Sequence, residues 1–169
     1  FFDAGRRLGW QGVRAGFEDL GFGKPTGLAP GEASGLLPND EWLEKNPEAG
    51  ISKERRLERL AAVVAGGHGP FEVTPLQLAS AYHDLAKALS APRGKIENEI
   101  FQGMTRVVQG DHGTGKSAAI DGLKLAGKTG TAESTPWGID EKGAPESGWF
   151  VAFAPADDPE ILVLVRAIA

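Results

Sequence analysis

The chain has 169 residues, enough for one hydrophobic core, with 41% apolar and 24% charged residues, a soluble globular composition. Its net charge is −5 and its 18 basic residues are scattered, which argues against nucleic-acid binding, since that needs a clustered basic face. Cysteine is absent, so disulfides and thiolate metal sites are excluded; His68, His83 and His112 lack metal-site spacing, and no apolar run approaches the ~20 residues of a membrane span.

In chain order, Phe1 to Leu8 reads as the tail of a helix broken at Gly9. Val13, Phe17 and Leu20 then recur at i, i+4, i+7, an amphipathic helix ended by Gly21. Residues 21–38 are rich in glycine and proline and form a loop. Leu57, Leu60, Ala61 and Val64 share a face of a helix predicted over Lys53 to Ala65, which Gly66-Gly67-His68-Gly69-Pro70 stops. The next helix has a clear start: Thr74 as N-cap, Pro75 at the first position and Gln77 closing a capping box. Leu78, Tyr82, Leu85 and Leu89 line its face, and after a turn at residues 91–94, Ile96, Ile100, Met104, Val107 and Val108 predict another helix.

Beyond the glycine loop at residues 110–115, Ser117 to Ile120 allows only a short helical turn before Gly122. Alternation from Leu123 predicts a strand to about Ala132. The composition of residues 134–147 predicts a polar loop containing Trp137. Trp149 to Ala154 and Ile161 to Ile168 are two further strands, joined by a turn into an antiparallel hairpin. The last is nearly all apolar, which predicts burial on both faces. Residues 1–122 are thus mainly helix and loop and residues 123–169 supply three strands, within one domain of α+β class.

Two glycine-rich stretches compete as chemistry. Gly110-Asp-His-Gly-Thr-Gly115-Lys116-Ser117 matches the phosphate-cradling P-loop pattern. A working P-loop follows a buried strand and opens a long helix; here the preceding segment has helical spacing and Gly122 cuts the following one. Nucleotide binding is therefore the weakest reading. The other stretch is Lys128-Thr129-Gly130-Thr131 on a strand. One reading is an edge strand guarded by a solvated lysine. The alternative is a peptide-binding strand: Gly130 admits a close backbone, Thr129 and Thr131 present hydroxyls on one face, and Lys128 supplies positive charge. These features suit an extended peptide with a terminal carboxylate, added as a strand.

A family resemblance joins these blocks. Leu20-Gly-Phe-Gly-Lys-Pro-Thr-Gly27, Pro30-Gly-Glu32, Gly35-Leu-Leu-Pro38, Val73-Thr-Pro-Leu-Gln-Leu-Ala79, Gly113-Thr114-Gly115, Ala126-Gly-Lys-Thr-Gly-Thr-Ala-Glu133 and Trp149-Phe-Val-Ala-Phe-Ala-Pro155 occur in this order. Together they resemble the C-terminal part of the transpeptidase domain of penicillin-binding proteins, of the serine β-lactamase-like superfamily. The resemblance implies an antiparallel sheet with helices on both faces, of which this chain carries the last three strands. It implies acylation of a serine by a peptide ending in D-Ala-D-Ala and transfer to an amine, on the extracytoplasmic face of a bacterial envelope. Carried over by position, Thr131 would give an oxyanion-hole N–H, and Thr129 and Thr131 hydroxyls would hold the carboxylate of a stem peptide or β-lactam. Lys128 would set the field and relay protons, Gly130 would admit the substrate, and Trp137 would rim the cleft. No cofactor, metal, nucleic acid or membrane contact of this segment is expected.

The departures are as informative. None of Ser34, Ser52, Ser80, Ser90, Ser117, Ser134 and Ser147 has lysine three residues on or asparagine two residues on. The S-x-x-K and S-x-N motifs that the family requires are therefore not in these residues. The expectation is a fragment that begins after the second motif, inactive alone, completed by the N-terminal half of its domain. The competing expectation is a non-catalytic homologue that keeps the K-T-G strand for peptide binding. On the fragment reading, the strand at Ile161 to Ile168 is left with an exposed apolar edge.

Overall fold

The computed structural model describes residues 1–133 and 146–168, with backbone alone at Glu133 and Glu146. Five helices come first: α1 (Phe2–Asp19), α2 (Asp40–Lys45), α3 (Lys53–Ala65), α4 (Pro75–Ser90) and α5 (Lys95–Gln109). A 3-10 turn at Lys116–Ala118 leads to three strands, β1 (Ala126–Glu133), β2 (Glu146–Ala154) and β3 (Ile161–Ile168). Residues 1–77 form the body of one compact unit, and residues 78–132 with 146–168 that of a second.

In the first unit α1 packs on α3. Trp10 and Val13 meet Leu60, Ala61 and Val64, with Leu43 of α2 closing the cluster. The predicted break is present: Gly9 sits at φ 69° and ψ 168° inside α1, a conformation that glycine alone adopts readily. Gly5 lets the helices approach, since a Cβ there would lie 2.3 Å from the Ala61 carbonyl oxygen. Helix α2 was not anticipated. Its start is nevertheless written in Asn39, whose side chain accepts the Trp42 amide at 2.8 Å, a regular N-cap. Its end is held by buried Arg56, which donates to the carbonyls of Leu43 (3.0 Å) and Asn46 (2.5 Å).

The loop at residues 21–38 is fastened at several points. Phe22 meets Phe17 at a tilt and Phe71 edge to face, at centroid distances of 5.7 and 5.5 Å. Leu36 and Glu72 form a backbone bridge. The capping box forms as predicted: the Thr74 amide donates to Gln77 Oε1 (2.9 Å) and the Gln77 amide to Thr74 Oγ1 (3.1 Å). Gln77 Nε2 also donates to the carbonyls of Lys24 and Ser34, both at 2.8 Å. One amide side chain, 1% exposed, thereby satisfies three separate backbone groups.

In the second unit Ala86 and Leu89 of α4 and Phe101 and Met104 of α5 pack with Ala126 of β1 and Phe153 of β2. Helix α5 occupies its predicted span, but Ile96 and Ile100 are exposed and Phe101 takes the buried position. The sheet order is β1-β2-β3 and it is antiparallel, with β2 and β3 in register from Ser147 opposite Ile168 to Ala154 opposite Ile161. The burial predicted for β3 on both faces does not hold: Ile161, Val163 and Ile168 are 63%, 53% and 65% exposed. Among the described residues β3 is an outer strand, so nothing covers its far edge and one face stays open. The exposed apolar edge expected of a fragment is therefore present.

Candidate functional site

Strand β1 is the other outer strand of the sheet, and the K-T-G residues lie in its middle. Its first residues are fixed by packing: Leu125, Ala126 and Gly127 are buried, and Leu125 joins Val108 and Ala152 in a small cluster. From Lys128 the strand emerges. Lys128, Gly130 and Thr131 are exposed and Thr129 is half-buried. The Lys128 ammonium donates to the Thr129 carbonyl on its own strand. Cation, hydroxyls and open glycine thus all lie on a strand that is outermost among the described residues.

The two glycines of the strand differ. A Cβ on Gly127 would lie 2.8 Å from the Val151 oxygen, so the fold demands glycine there. A Cβ on Gly130 would meet only Trp149 Cβ at 3.7 Å, an ordinary contact. Packing among the described residues gives Gly130 no reason to be glycine.

Sequence reasoning missed one contact of this strand. Thr114 Oγ1 lies 2.7 Å from Thr129 Oγ1. Nothing in the local pattern signals a partner 15 residues on; the contact follows from how the glycine loop folds. That loop wraps the end of α5. The Gly115 amide donates to the Val107 carbonyl (2.9 Å), the Gly113 amide to Gly110 (3.0 Å) and the Lys116 amide to Gly113 (3.1 Å). A Cβ on Gly113 would lie 2.3 Å from the Val107 oxygen, and one on Gly115 would lie 2.9 Å from Phe150 Cε2.

The penicillin binding protein transpeptidase domain model matches residues 1–167. The chain belongs to the penicillin-binding protein transpeptidase family. The peptidoglycan D,D-transpeptidase MrdA of Acinetobacter baumannii is 32% identical over 202 residues, which cover 98% of this chain and 29% of that protein. Stage V sporulation protein D of Bacillus subtilis is 30% identical over 183 residues, covering 98% of this chain and 28% of that protein. Among solved structures, Pseudomonas aeruginosa PBP2, determined in complex with WCK 5153, superposes with a TM-score of 0.75 at 27% identity. That match covers 99% of this chain and 41% of the other. The chain therefore spans less than a third of the length of these two curated relatives.

Membership in this transpeptidase family, together with the local geometry, does not favour the nucleotide reading. The residues of the P-loop pattern follow a helix instead of a strand, and the turn after them is three residues long. Three of the loop amides are spent on carbonyls within the fold, and Lys116 is 3.2 Å from Asp111. The glycines serve the wrap around α5. Trp137, expected to rim a peptide cleft, lies outside the described residues. Among the described residues no group of acidic or histidine side chains is arranged for a metal, and no helix is long and apolar enough to cross a membrane.

Proposed function

We propose that this chain is the K-T-G wall of a peptidoglycan D,D-transpeptidase site. In this reading a stem peptide ending in D-Ala-D-Ala, or a β-lactam in its place, lies along the exposed edge of β1. The hydroxyls of Thr129 and Thr131 donate to its terminal carboxylate, and Lys128 adds positive charge beside them. The Thr131 amide supplies one donor for the oxyanion that develops during acylation. Gly130 admits the substrate backbone.

The observation that carries the reading is Gly130: an exposed glycine on an outer strand, with no packing demand on it among the described residues, flanked by Thr129 and Thr131 and next but one to Lys128. The nucleophile is supplied from outside these residues, because no serine here is followed by lysine at the third position. The names of the relatives support the enzyme over a non-catalytic peptide-binding module. The same reading places the protein at the bacterial cell envelope, on the side that faces the wall.

The test is turnover by the full-length gene product. With a pentapeptide ending in D-Ala-D-Ala and an amine acceptor, D-alanine should be released and the acceptor coupled. Release should fail on Thr131→Val while the melting temperature holds. A full-length product with neither release nor coupling would overturn the enzymatic reading.

A further inference from the structure

Thr129 and Thr114 face each other through their hydroxyl oxygens at 2.7 Å. Each hydroxyl has one proton and two lone pairs, and either can donate. The two arrangements are chemically unequal toward an anion. If Thr129 donates to Thr114, it turns lone pairs toward an incoming carboxylate and repels it. If Thr114 donates to Thr129, the Thr129 proton is free to point outward, and the hydrogen bond behind it polarises that proton. We propose that Thr114 is a positioning residue for carboxylate recognition, which holds the Thr129 hydroxyl as an outward donor. The inference rests on the reading of Thr129 as a carboxylate contact and extends it to a residue outside the K-T-G motif.

The loop geometry supports this role. Thr114 stands between two glycines that are needed for close packing on the end of α5. The Gly115 amide is tied to Val107 and the Gly113 amide to Gly110, so the loop backbone is held on both sides of Thr114. Thr114 itself is exposed, so its hydroxyl is not there to fill a core. The loop therefore sets its hydroxyl beside β1. The same wrap accounts for the glycine spacing that mimics a phosphate loop.

The experiment separates carboxylate recognition from folding by comparing two acylating agents. Rates of acylation of the full-length gene product are measured with benzylpenicillin and with its methyl ester, and the acid-to-ester ratio is taken. For Thr114→Val and Thr114→Ala the ratio should fall about 3- to 10-fold, the size expected for one hydrogen bond between neutral groups. Thr114→Ser, which keeps the hydroxyl, should hold the ratio within about 2-fold. Equal loss for acid and ester, or no loss with either agent, would overturn the role. The Thr129→Val variant distinguishes the levels. If its ratio falls and that of the Thr114 variants does not, only the positioning role fails. If its ratio is also unchanged, the carboxylate reading of Thr129 fails with it.

Discussion

The α-carbon of Gly127 lies under the carbonyl of Val151, so that a Cβ would sit 2.8 Å from that oxygen and 3.2 Å from both Ala152 Cβ and Val108 Cγ2. The backbone carbonyl cannot turn away without breaking the strand, and α5 closes the other side. Gly127→Ala should destabilise the protein by about 1–3 kcal/mol, the usual cost of overpacking. Gly130→Ala should leave the melting temperature unchanged or slightly raised, yet slow β-lactam acylation by roughly tenfold or more through displaced substrate. Melting curves and acylation rates of both variants check the pair. The reverse assignment of effects would contradict the division between fold and site.

Gln77 ties helix α4 to the loop that precedes it. Gln77→Leu leaves the Lys24 and Ser34 carbonyls and the Thr74 amide without their partner. The expected cost is about 2–3 kcal/mol, because buried polar groups lose their hydrogen bonds. Faster amide hydrogen exchange should be confined at first to residues 21–38 and the start of α4. Protection factors measured before and after the change test this directly.

Arg56 holds the end of α2 through two carbonyls and lies 3.6 Å from Glu48. Arg56→Met keeps much of the apolar stem and removes the donors. A loss of about 2–3 kcal/mol is expected. Thermal melting should report it, and acylation by a β-lactam should change little at temperatures well below the transition.

Glu32 fastens its loop through the Thr26 hydroxyl (2.7 Å) and the amides of Thr26 and Ala29. The Thr26 hydroxyl first, then the backbone amides, hold its carboxyl below the ordinary value of 4.5. The folded value is depressed, so its contribution is fully present above the unfolded value and is lost as pH falls through the folded one. Exchange of the Thr26 and Ala29 amides should therefore be protected at neutral pH and accelerate below about 4.5 beyond the intrinsic pH trend. In Glu32→Gln that extra acid step should vanish.

How much of this was legible in the sequence depends on whether local chemistry or distant packing decides. Helix α4 was readable because Thr74 and Gln77 write its start in cap chemistry, and α3 because Leu57, Leu60, Ala61 and Val64 recur on one face. The bend at Gly9 was readable because it needs positive φ. Helix α5 was readable as a helix, but not its buried face. Ile96 and Ile100 compete with Phe101 and Val108 for that face, and only contact with the strands selects the second set. Helix α2 is not legible from periodicity, because six residues carry too little of it, although Asn39 marks its start.

The strands show the same division. An apolar run such as Ile161 to Ile168 states that something should cover it, not that the covering group is in the same chain. The K-T-G residues of the site were legible as a motif. The Thr114–Thr129 contact was not, since it depends on how the glycine loop wraps α5.

The most direct measurement is covalent labelling by a fluorescent penicillin, read by intact mass. The full-length gene product should take up one penicilloyl group, and Lys128→Ala and Thr131→Val should each slow its formation by roughly tenfold or more. The isolated 169-residue chain, which lacks the S-x-x-K serine, should take up none. A full-length product that stays unlabelled, a rate indifferent to both substitutions, or a labelled isolated chain would contradict the account.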